Sequence, residues 1–262
     1  MSLPPVNVKV NVRKLNLASK LDEMIEDYVA VEAPIEVTLN GRPVATLLAT
    51  PTQTEDLALG LVIDEGMIEG VANIIDIRAI GNTVNIEAKD SAIRKENLRD
   101  MGLILSACGS TIYEKEHDGV SWPSVESNYK VKAQDVVQMV GKLCSSSVYF
   151  PKTGATHSAT AFLQNEMKAF AEDVGRHNAI DKIIGSCARQ RLDMSRTVLV
   201  TTGRQPAGLV LKAARVGIPI VVSMRGPIHS GVLAAERTGV TLICFARGSR
   251  MNIYTHPGRI MV

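Results

Sequence analysis

One cysteine of this chain, Cys108, lies among small residues in the segment SACGST (106–111), whereas the other three cysteines lie in apolar helix-like or strand-like segments. The thiolate is the nucleophilic form of cysteine, and its reactivity depends on exposure and on nearby charge. Free cysteine is also among the residue types most often buried as a small apolar side chain. From its neighbours alone, Cys108 is therefore either a reactive thiol on a loop or a small core residue.

Three predicted strands end in a glycine next to an arginine. The pairs are Gly203-Arg204, Arg225-Gly226, and Arg247-Gly248 followed by Arg250. Ligands of open parallel sheets bind outside the carboxyl ends of the strands, where glycine permits close approach and the guanidinium group fits phosphate oxygens. A single pair would be explained better by a tight turn and a solvated side chain. Three pairs at corresponding strand ends predict a ligand that carries phosphate.

Two further segments contain charged or histidine side chains beside small residues. EDVGRHNAID places Asp173, Arg176 and His177 just ahead of a predicted helix, and TGATHSATAF places His157 among small residues. Each could position a ligand or serve only as a structural hydrogen-bonding group. Their spacing does not identify a reaction.

The cysteine and histidine spacing does not predict a metal bound by protein side chains. No pair of cysteines has CxxC spacing, and no cluster has the spacing of zinc ligands. Four cysteines in 262 residues also make a poor disulfide framework. We expect Cys144, Cys187 and Cys244 to be inert packing residues.

The composition is that of an ordinary globular protein, with 45% hydrophobic and 21% charged residues and a net charge of +2. This charge gives no indication of a nucleic-acid or membrane partner, and we expect neither. No apolar run approaches the roughly 18 residues of a spanning helix, and no signal peptide is visible at the first residues. We therefore expect a cytoplasmic protein.

The first part of the chain predicts a small α+β roll, assigned to residues 1–102. Residues 35–50 alternate around Asn40-Gly41, a strong hairpin signal, and residues 74–89 form a second hairpin pattern around Gly81-Asn82. Between them lies a predicted helix, with Thr54 as its expected N-cap.

From residue 103 to residue 262, predicted strands alternate with helices. The predicted strands are 197–203, 218–224, 240–246 and 251–256, and the predicted helices include 172–190, 205–217 and 229–239, the last with Ser230 as its cap. Strand–helix–strand units favour parallel pairing with right-handed crossovers. We therefore predict an α+β protein: an N-terminal roll followed by a three-layer α/β/α domain.

Six motifs taken together closely resemble the formate dehydrogenase accessory protein family of the FdhD/NarQ type. They are NGRPVATLLATPTQTEDLALGLVIDEGMI, SACG, TGATHSA, EDVGRHNAIDKIIG, KAARVGIPIVVS and FARGSRMNIYTHPGRI. The resemblance runs from about residue 32 to the C-terminus. It implies that the second domain is of the cytidine-deaminase-like type, although the zinc-deaminase signature HxE with PCxxC is not present.

The resemblance also implies a sulfurtransferase. Such a protein accepts sulfur from a cysteine desulfurase as a cysteine persulfide, at the position of Cys108. It passes the sulfur to the bis(molybdopterin guanine dinucleotide) molybdenum cofactor, a bound substrate, for formate dehydrogenase or a related molybdenum or tungsten enzyme. The implied cofactor-binding segment is Phe245, Ala246, Arg247, Gly248, Ser249 and Arg250, to which the strand ends add Gly203, Arg204 and Arg225. A homodimer is also implied.

One position departs from the family pattern, since Thr111 stands where a second cysteine is usual. A persulfide requires one sulfur only, so the relay can operate without that cysteine, although release through a disulfide in this motif cannot. Two alternatives remain: a cofactor carrier or insertion chaperone without sulfur transfer, and a nucleotide-hydrolysing enzyme. The chain has neither a P-loop nor a metal-carboxylate set, which disfavours the second.

Overall fold

Residues 3–94, 104–105 and 122–262 are described in this computed structural model. The strands are β1 (Asn7–Asn16), β2 (Leu21–Ala30), β3 (Ala33–Leu39), β4 (Arg42–Ala49), β5 (Ile74–Ile80), β6 (Thr83–Ala88), β7 (Ile104–Leu105), β8 (Val131–Lys132), β9 (His157–Leu163), β10 (Glu166–Asp173), β11 (Thr197–Thr201), β12 (Ile220–Ser223), β13 (Thr241–Arg247), β14 (Arg250–Ile253) and β15 (Ile260–Met261). The α-helices are α1 (Thr54–Asp64), α2 (Ala133–Ser146), α3 (Phe150–Thr153), α4 (Arg176–Arg189), α5 (Ala207–Arg215) and α6 (His229–Thr238).

The first sheet contains both predicted hairpins, in the order β5-β6-β3-β4-β7. Asn40 and Gly41 make the first turn with positive φ angles of 47° and 74°, a conformation that asparagine and glycine adopt most readily. The predicted division at residue 102 lies outside the described residues. Beyond it, β7 pairs with β4, so the first sheet includes residues 104–105.

The second sheet forms the middle of three layers and has the order β10-β9-β11-β12-β13-β14. Its central strands β11, β12 and β13 are parallel, as predicted, and β9, β10 and β14 add antiparallel edges. Successive strand residues point to opposite faces. Val198 and Val200 accordingly pack with α2, whereas Leu199 packs with α4, α5 and α6.

Two predicted helix caps were wrong. Gln53, in a left-handed conformation with φ 51°, precedes α1, and Thr54 is already its first helical residue. Ile228 precedes α6, and Ser230 lies inside that helix. The Ser230 Oγ accepts a hydrogen bond of 3.4 Å from the Ala207 N–H at the start of α5 instead, so the hydroxyl serves the neighbouring helix.

Helices α1 and α4 join the two sheets through a close crossing of their backbones. A Cβ atom placed on Gly60 would lie 1.8 Å from the Asp181 carbonyl oxygen, and one on Gly185 would lie 1.9 Å from that of Asp56. Only glycine permits this separation at both points. The crossing therefore depends on two glycines that the sequence patterns did not single out.

The antiparallel hairpin β1–β2 precedes these layers and was not predicted. Most of its side chains are exposed, and two cross-strand ion pairs, Lys9–Glu26 and Arg13–Asp22, lie on one of its faces. No helix in the described part of the chain is long and apolar enough to cross a membrane.

Candidate functional site

The carboxyl ends of the parallel strands β11, β12 and β13 meet at one edge of the second sheet. Since β9 runs antiparallel to β11, its first residue His157 lies at this same edge, opposite Asp173 at the end of β10. Helix α4 begins here at Arg176. We call this region the cationic edge; its basic side chains are His157, Arg176, Arg204, Arg225, Arg247 and Arg250.

Hydrogen bonds between the first two strand ends fix their loops side by side. The Gly203 carbonyl accepts from the Ser223 hydroxyl at 2.6 Å and from the Gln205 side-chain amide at 2.9 Å. The Ser223 oxygen in turn accepts the Arg225 N–H at 3.0 Å. These bonds hold the backbone of the Gly203-Arg204 loop next to that of Arg225, as the sequence pattern predicted.

The third strand end joins the second through Phe245. This residue has a positive φ of 54°, and its N–H donates to the Arg225 carbonyl at 3.1 Å. Its ring lies over Gly226, where an added Cβ would be only 2.8 Å from the ring. The residue nevertheless remains 39% exposed, so an apolar aromatic side chain borders the arginines.

The rest of the predicted cofactor-binding segment forms the β13–β14 turn. Arg247 and Arg250 pair across this turn, and they are exposed together with Gly248 and Ser249. Ala246 differs because its side chain is buried in the layer beneath α2. It supports the segment from below and does not face solvent.

The arginines at the strand ends are available to a ligand. Among the described residues, no carboxylate forms an ion pair with Arg204, Arg225, Arg247 or Arg250, and all four are exposed. Guanidinium groups at a strand edge without carboxylate partners favour an anion, phosphate in particular.

His157 and Arg176 join this edge, although their sequence segments did not identify them as part of it. The His157 Nδ1 lies 3.5 Å from the Thr202 hydroxyl, which accepts the Ser158 N–H at 3.0 Å. The Arg176 side chain packs against Gly203, where an added Cβ would lie 3.0 Å from the Arg176 Cβ. Knowledge that β9 pairs antiparallel with β11 would have placed His157 at this edge, but a local sequence pattern does not reveal that pairing.

The electrostatic surroundings of His157 lower its pKa. Burial makes the largest contribution, and the charges of Arg176, Arg225 and Arg204 act in the same direction. Asp173 acts in the opposite direction, less strongly than Arg176 or Arg225 but more strongly than Arg204. At a given pH, His157 is consequently protonated to a smaller extent than an ordinary histidine.

A buried ion pair positions the start of α4 at this edge. The Asp173 carboxylate lies 2.6 Å from the Lys182 Nζ, and both side chains are fully buried. The same carboxylate accepts the Thr50 N–H at 3.0 Å and the Gly175 N–H at 2.8 Å. Asp173 ends β10 and lies just ahead of α4, as expected. The same expectation was wrong for Arg176 and His177, which are the first two residues of α4.

The cysteines differ in accessibility. Cys187 and Cys244 are buried, and burial raises the pKa of each thiol to about 12, which confirms them as packing residues. Cys144 is exposed, so the expectation that it packs in the core was wrong; its Sγ lies 3.5 Å from the Met224 Sδ. Cys108 lies outside the described residues, which contain no group of three or more His, Cys, Asp or Glu side chains able to hold a metal ion.

Layered sheets and a cationic strand edge beside an exposed aromatic residue define an α+β protein with an edge suited to a phosphate-bearing ligand. A family model described as the FdhD/NarQ family matches residues 30–261. The chain belongs to this family, which confirms the resemblance seen in its motifs.

Curated relatives and a solved structure agree with this assignment. The chain is 34% identical over 240 residues to the sulfur carrier protein FdhD of Methanothermobacter thermautotrophicus, covering 90% of this chain and 93% of the relative. It is 30% identical over 257 residues to the protein of the same name from Sulfolobus acidocaldarius, covering 96% and 99%. A crystal structure of a protein described as a formate dehydrogenase accessory protein from Desulfotalea psychrophila superposes with a TM-score of 0.79 at 24% identity, covering 98% of this chain and 100% of that one, and shows the shared fold.

Proposed function

We propose that this protein is a sulfur carrier that serves formate dehydrogenase or a related molybdenum or tungsten enzyme. It accepts the outer sulfur of a persulfide on a cysteine desulfurase, and passes that sulfur to the metal of a bis(molybdopterin guanine dinucleotide) cofactor bound as substrate. The names of the relatives, sulfur carrier protein, support the first part of this proposal. We further propose that the protein works in the cytoplasm as a homodimer.

The observation that carries the cofactor part of the proposal is the cationic edge. A guanine dinucleotide presents a pyrophosphate and a flat aromatic base. Guanidinium donors for the pyrophosphate come from Arg204, Arg225 and the Arg247–Arg250 turn. The exposed ring of Phe245 offers a surface on which the base can stack.

Cys108 is the residue that we propose carries the sulfur. Its thiolate attacks the outer sulfur of the desulfurase persulfide, the sulfur–sulfur bond of the donor breaks, and the desulfurase cysteine leaves as a thiolate. The step exchanges one sulfur–sulfur bond for another and needs no external oxidant. A second cysteine is not required, so Thr111 does not prevent the transfer.

The alternative function is that of a cofactor carrier or insertion chaperone without sulfur transfer. The cationic edge would serve it equally well, since holding the nucleotide portions requires no thiol. Sulfur transfer requires Cys108, and this difference makes the two functions distinguishable.

The experiment compares the wild type with Cys108→Ala and Cys108→Ser by intact mass after incubation with a desulfurase and cysteine, with and without reductant. We expect the wild type to gain the mass of one sulfur atom reversibly and both variants to gain none. Guanine-nucleotide affinity should stay within about 0.5 kcal/mol of wild type, the usual scale for a remote substitution. Adduct on the Ala variant would transfer the role to another cysteine. A wild type without adduct, yet with intact nucleotide binding, would favour the carrier.

A further inference from the structure

His157 occupies a position at the cationic edge that packing alone does not explain. It is the first residue of β9, half-buried, and lies beside the Thr202 hydroxyl at 3.5 Å. Its neighbours in the chain from Thr153 to Ala161 all have small side chains. Its imidazole thus meets the ends of neighbouring strands at the edge where the strand-end arginines lie.

Four charged groups among the described residues act on His157, and they come from four different elements. Arg176 lies at the start of α4, Arg204 follows β11 and Arg225 follows β12, and each acts on the imidazole as a nearby positive charge. Asp173, at the end of β10, is the one carboxylate among the described groups that act on it. That carboxylate is already paired with Lys182 at 2.6 Å, so positive charge prevails around the imidazole.

We propose that His157 and Arg176 complete a phosphate subsite with Arg204 and Arg225, and that His157 takes up a proton from solvent when a pyrophosphate group occupies it. The proposal rests on the proposed function, because it concerns the pyrophosphate of the guanine dinucleotide ligand. It extends the site from the strand ends to β9 and α4.

The physical reason is a change in the balance of charge when the ligand arrives. In the free protein, burial and the charges of the three arginines disfavour a proton on the imidazole. A pyrophosphate with two negative charges offsets them and accepts a hydrogen bond from the protonated ring. The pKa of His157 is therefore higher in the complex than in the free protein. By linkage, affinity rises as the pH falls through the pKa of the complex, and levels off below the pKa of the free protein.

The test uses GDP-mannose as the probe, because the phosphates of this pyrophosphate diester do not titrate in the range of histidine. Binding is measured by calorimetry near pH 6.5, the ordinary histidine pKa, in buffers of different ionisation enthalpy, which counts the protons taken up. For the wild type we expect uptake above zero and at most one proton per ligand, with affinity rising by no more than tenfold per pH unit on acidification.

Two variants identify the group that takes up the proton. His157→Gln should still bind the probe, more weakly at low pH, but without proton uptake. The matched control is His256→Gln. His256 follows β14, and its carbonyl accepts a hydrogen bond from the Thr241 hydroxyl at the other end of β13, away from the cationic edge. This variant should take up protons like the wild type.

Arg176→Gln supplies a second, independent measurement. It should lower the affinity for GDP-mannose at every pH. It should also move the midpoint of proton uptake to higher pH, because one of the charges that lower the His157 pKa is gone. Tight binding without proton uptake by the wild type, or unchanged uptake by His157→Gln, would refute the subsite while leaving the proposed function intact. If the wild type bound neither GDP-mannose nor GDP, the cationic edge would fail as a nucleotide site, and the cofactor part of the proposed function would fail with it.

Discussion

At the scale of single residues, exposure separates cysteines that look alike in sequence. Cys144 lies on an amphipathic helix, as Cys187 does, but it is exposed near the end of α2, whereas Cys187 is buried. We expect iodoacetamide to modify Cys144 in the native protein and to leave Cys187 and Cys244 unmodified until unfolding. Partial burial raises the pKa of Cys144, so its labelling rate should still be increasing with pH above 9. Peptide mapping by mass spectrometry measures this, and native modification of Cys187 would contradict it.

The arginines of the β13–β14 turn should act on nucleotide binding and not on stability. Arg247→Ala or Arg250→Ala is expected to lower the affinity for GDP by about ten- to a hundredfold, since each removes a charged hydrogen-bond donor worth roughly 1.5–3 kcal/mol. Both side chains are exposed, so the melting temperature should hardly change. Calorimetry with Arg42→Ala, an exposed arginine on the first sheet, as control measures the effect. Unchanged GDP affinity in both variants would remove this turn from the site.

At the scale of secondary-structure elements, the α1–α4 crossing makes a steric prediction. Gly60→Ala or Gly185→Ala would place a methyl group less than 2 Å from a backbone oxygen of the other helix, which must then move away. We expect a loss of about 2–4 kcal/mol in the free energy of unfolding. Gly141→Ala on α2 is the matched control, because nothing lies within 4 Å of its added Cβ. Higher helix propensity should stabilise that variant by up to about 1 kcal/mol. Equal stability of all three variants in urea would contradict the close crossing.

The segment before α3 is held by one buried carboxylate, Glu172. Burial by itself would raise its pKa, but hydrogen bonds from the Ser147 hydroxyl and from the N–H groups of Tyr149, Val148 and Phe150 outweigh burial and lower the pKa below its ordinary value of 4.5. The folded protein therefore binds this proton more weakly than the unfolded chain, so the stabilisation is complete above pH 4.5 and is lost as the pH falls through the lower, folded-state pKa.

Glu172→Gln should therefore destabilise the protein in a pH-dependent way. We expect a loss of about 1.5–3 kcal/mol at neutral pH, the range for hydrogen bonds to a charged group, and a smaller loss in acid. Urea unfolding of the variant and the wild type at several pH values measures the difference. Glu87→Gln, an exposed carboxylate on β6, is the control and should change stability little at any pH. A difference that stays constant from neutral to acid pH would show that the charge of Glu172 is not what holds the segment.

At the scale of the whole molecule, the β1–β2 hairpin is a separate two-stranded sheet that contacts the body at α3. The range matched by the family model begins at residue 30, so all hairpin residues except Ala30 precede it. Each hairpin strand pairs only with the other. Removing residues 1–31 should leave GDP affinity within about twofold of the full chain, because the cationic edge is built from residues 157–250. Calorimetry on the shortened protein measures this. A large loss of affinity would show that the hairpin takes part in the site.

The three strand-end pairs and both central hairpins could be predicted from the sequence because each depends on contiguous residues. Asn40-Gly41 requires positive φ angles, and the apolar strand 197–203 followed by a helix favours a parallel unit. These are local preferences of the backbone and of side-chain periodicity. The family, too, was evident from contiguous motifs, and the family model confirms it.

Only the tertiary structure decided which separate segments share the cationic edge. The insertion of β9 between β10 and β11 brings His157 to the strand ends, and the Asp173–Lys182 ion pair places the start of α4, with Arg176, beside Gly203. The exposure of Cys144 was decided in the same way, by which residues of α2 pack on the sheet. Strand order and helix rotation follow from burying apolar surface and pairing buried charge across long sequence separations, and no short pattern encodes either.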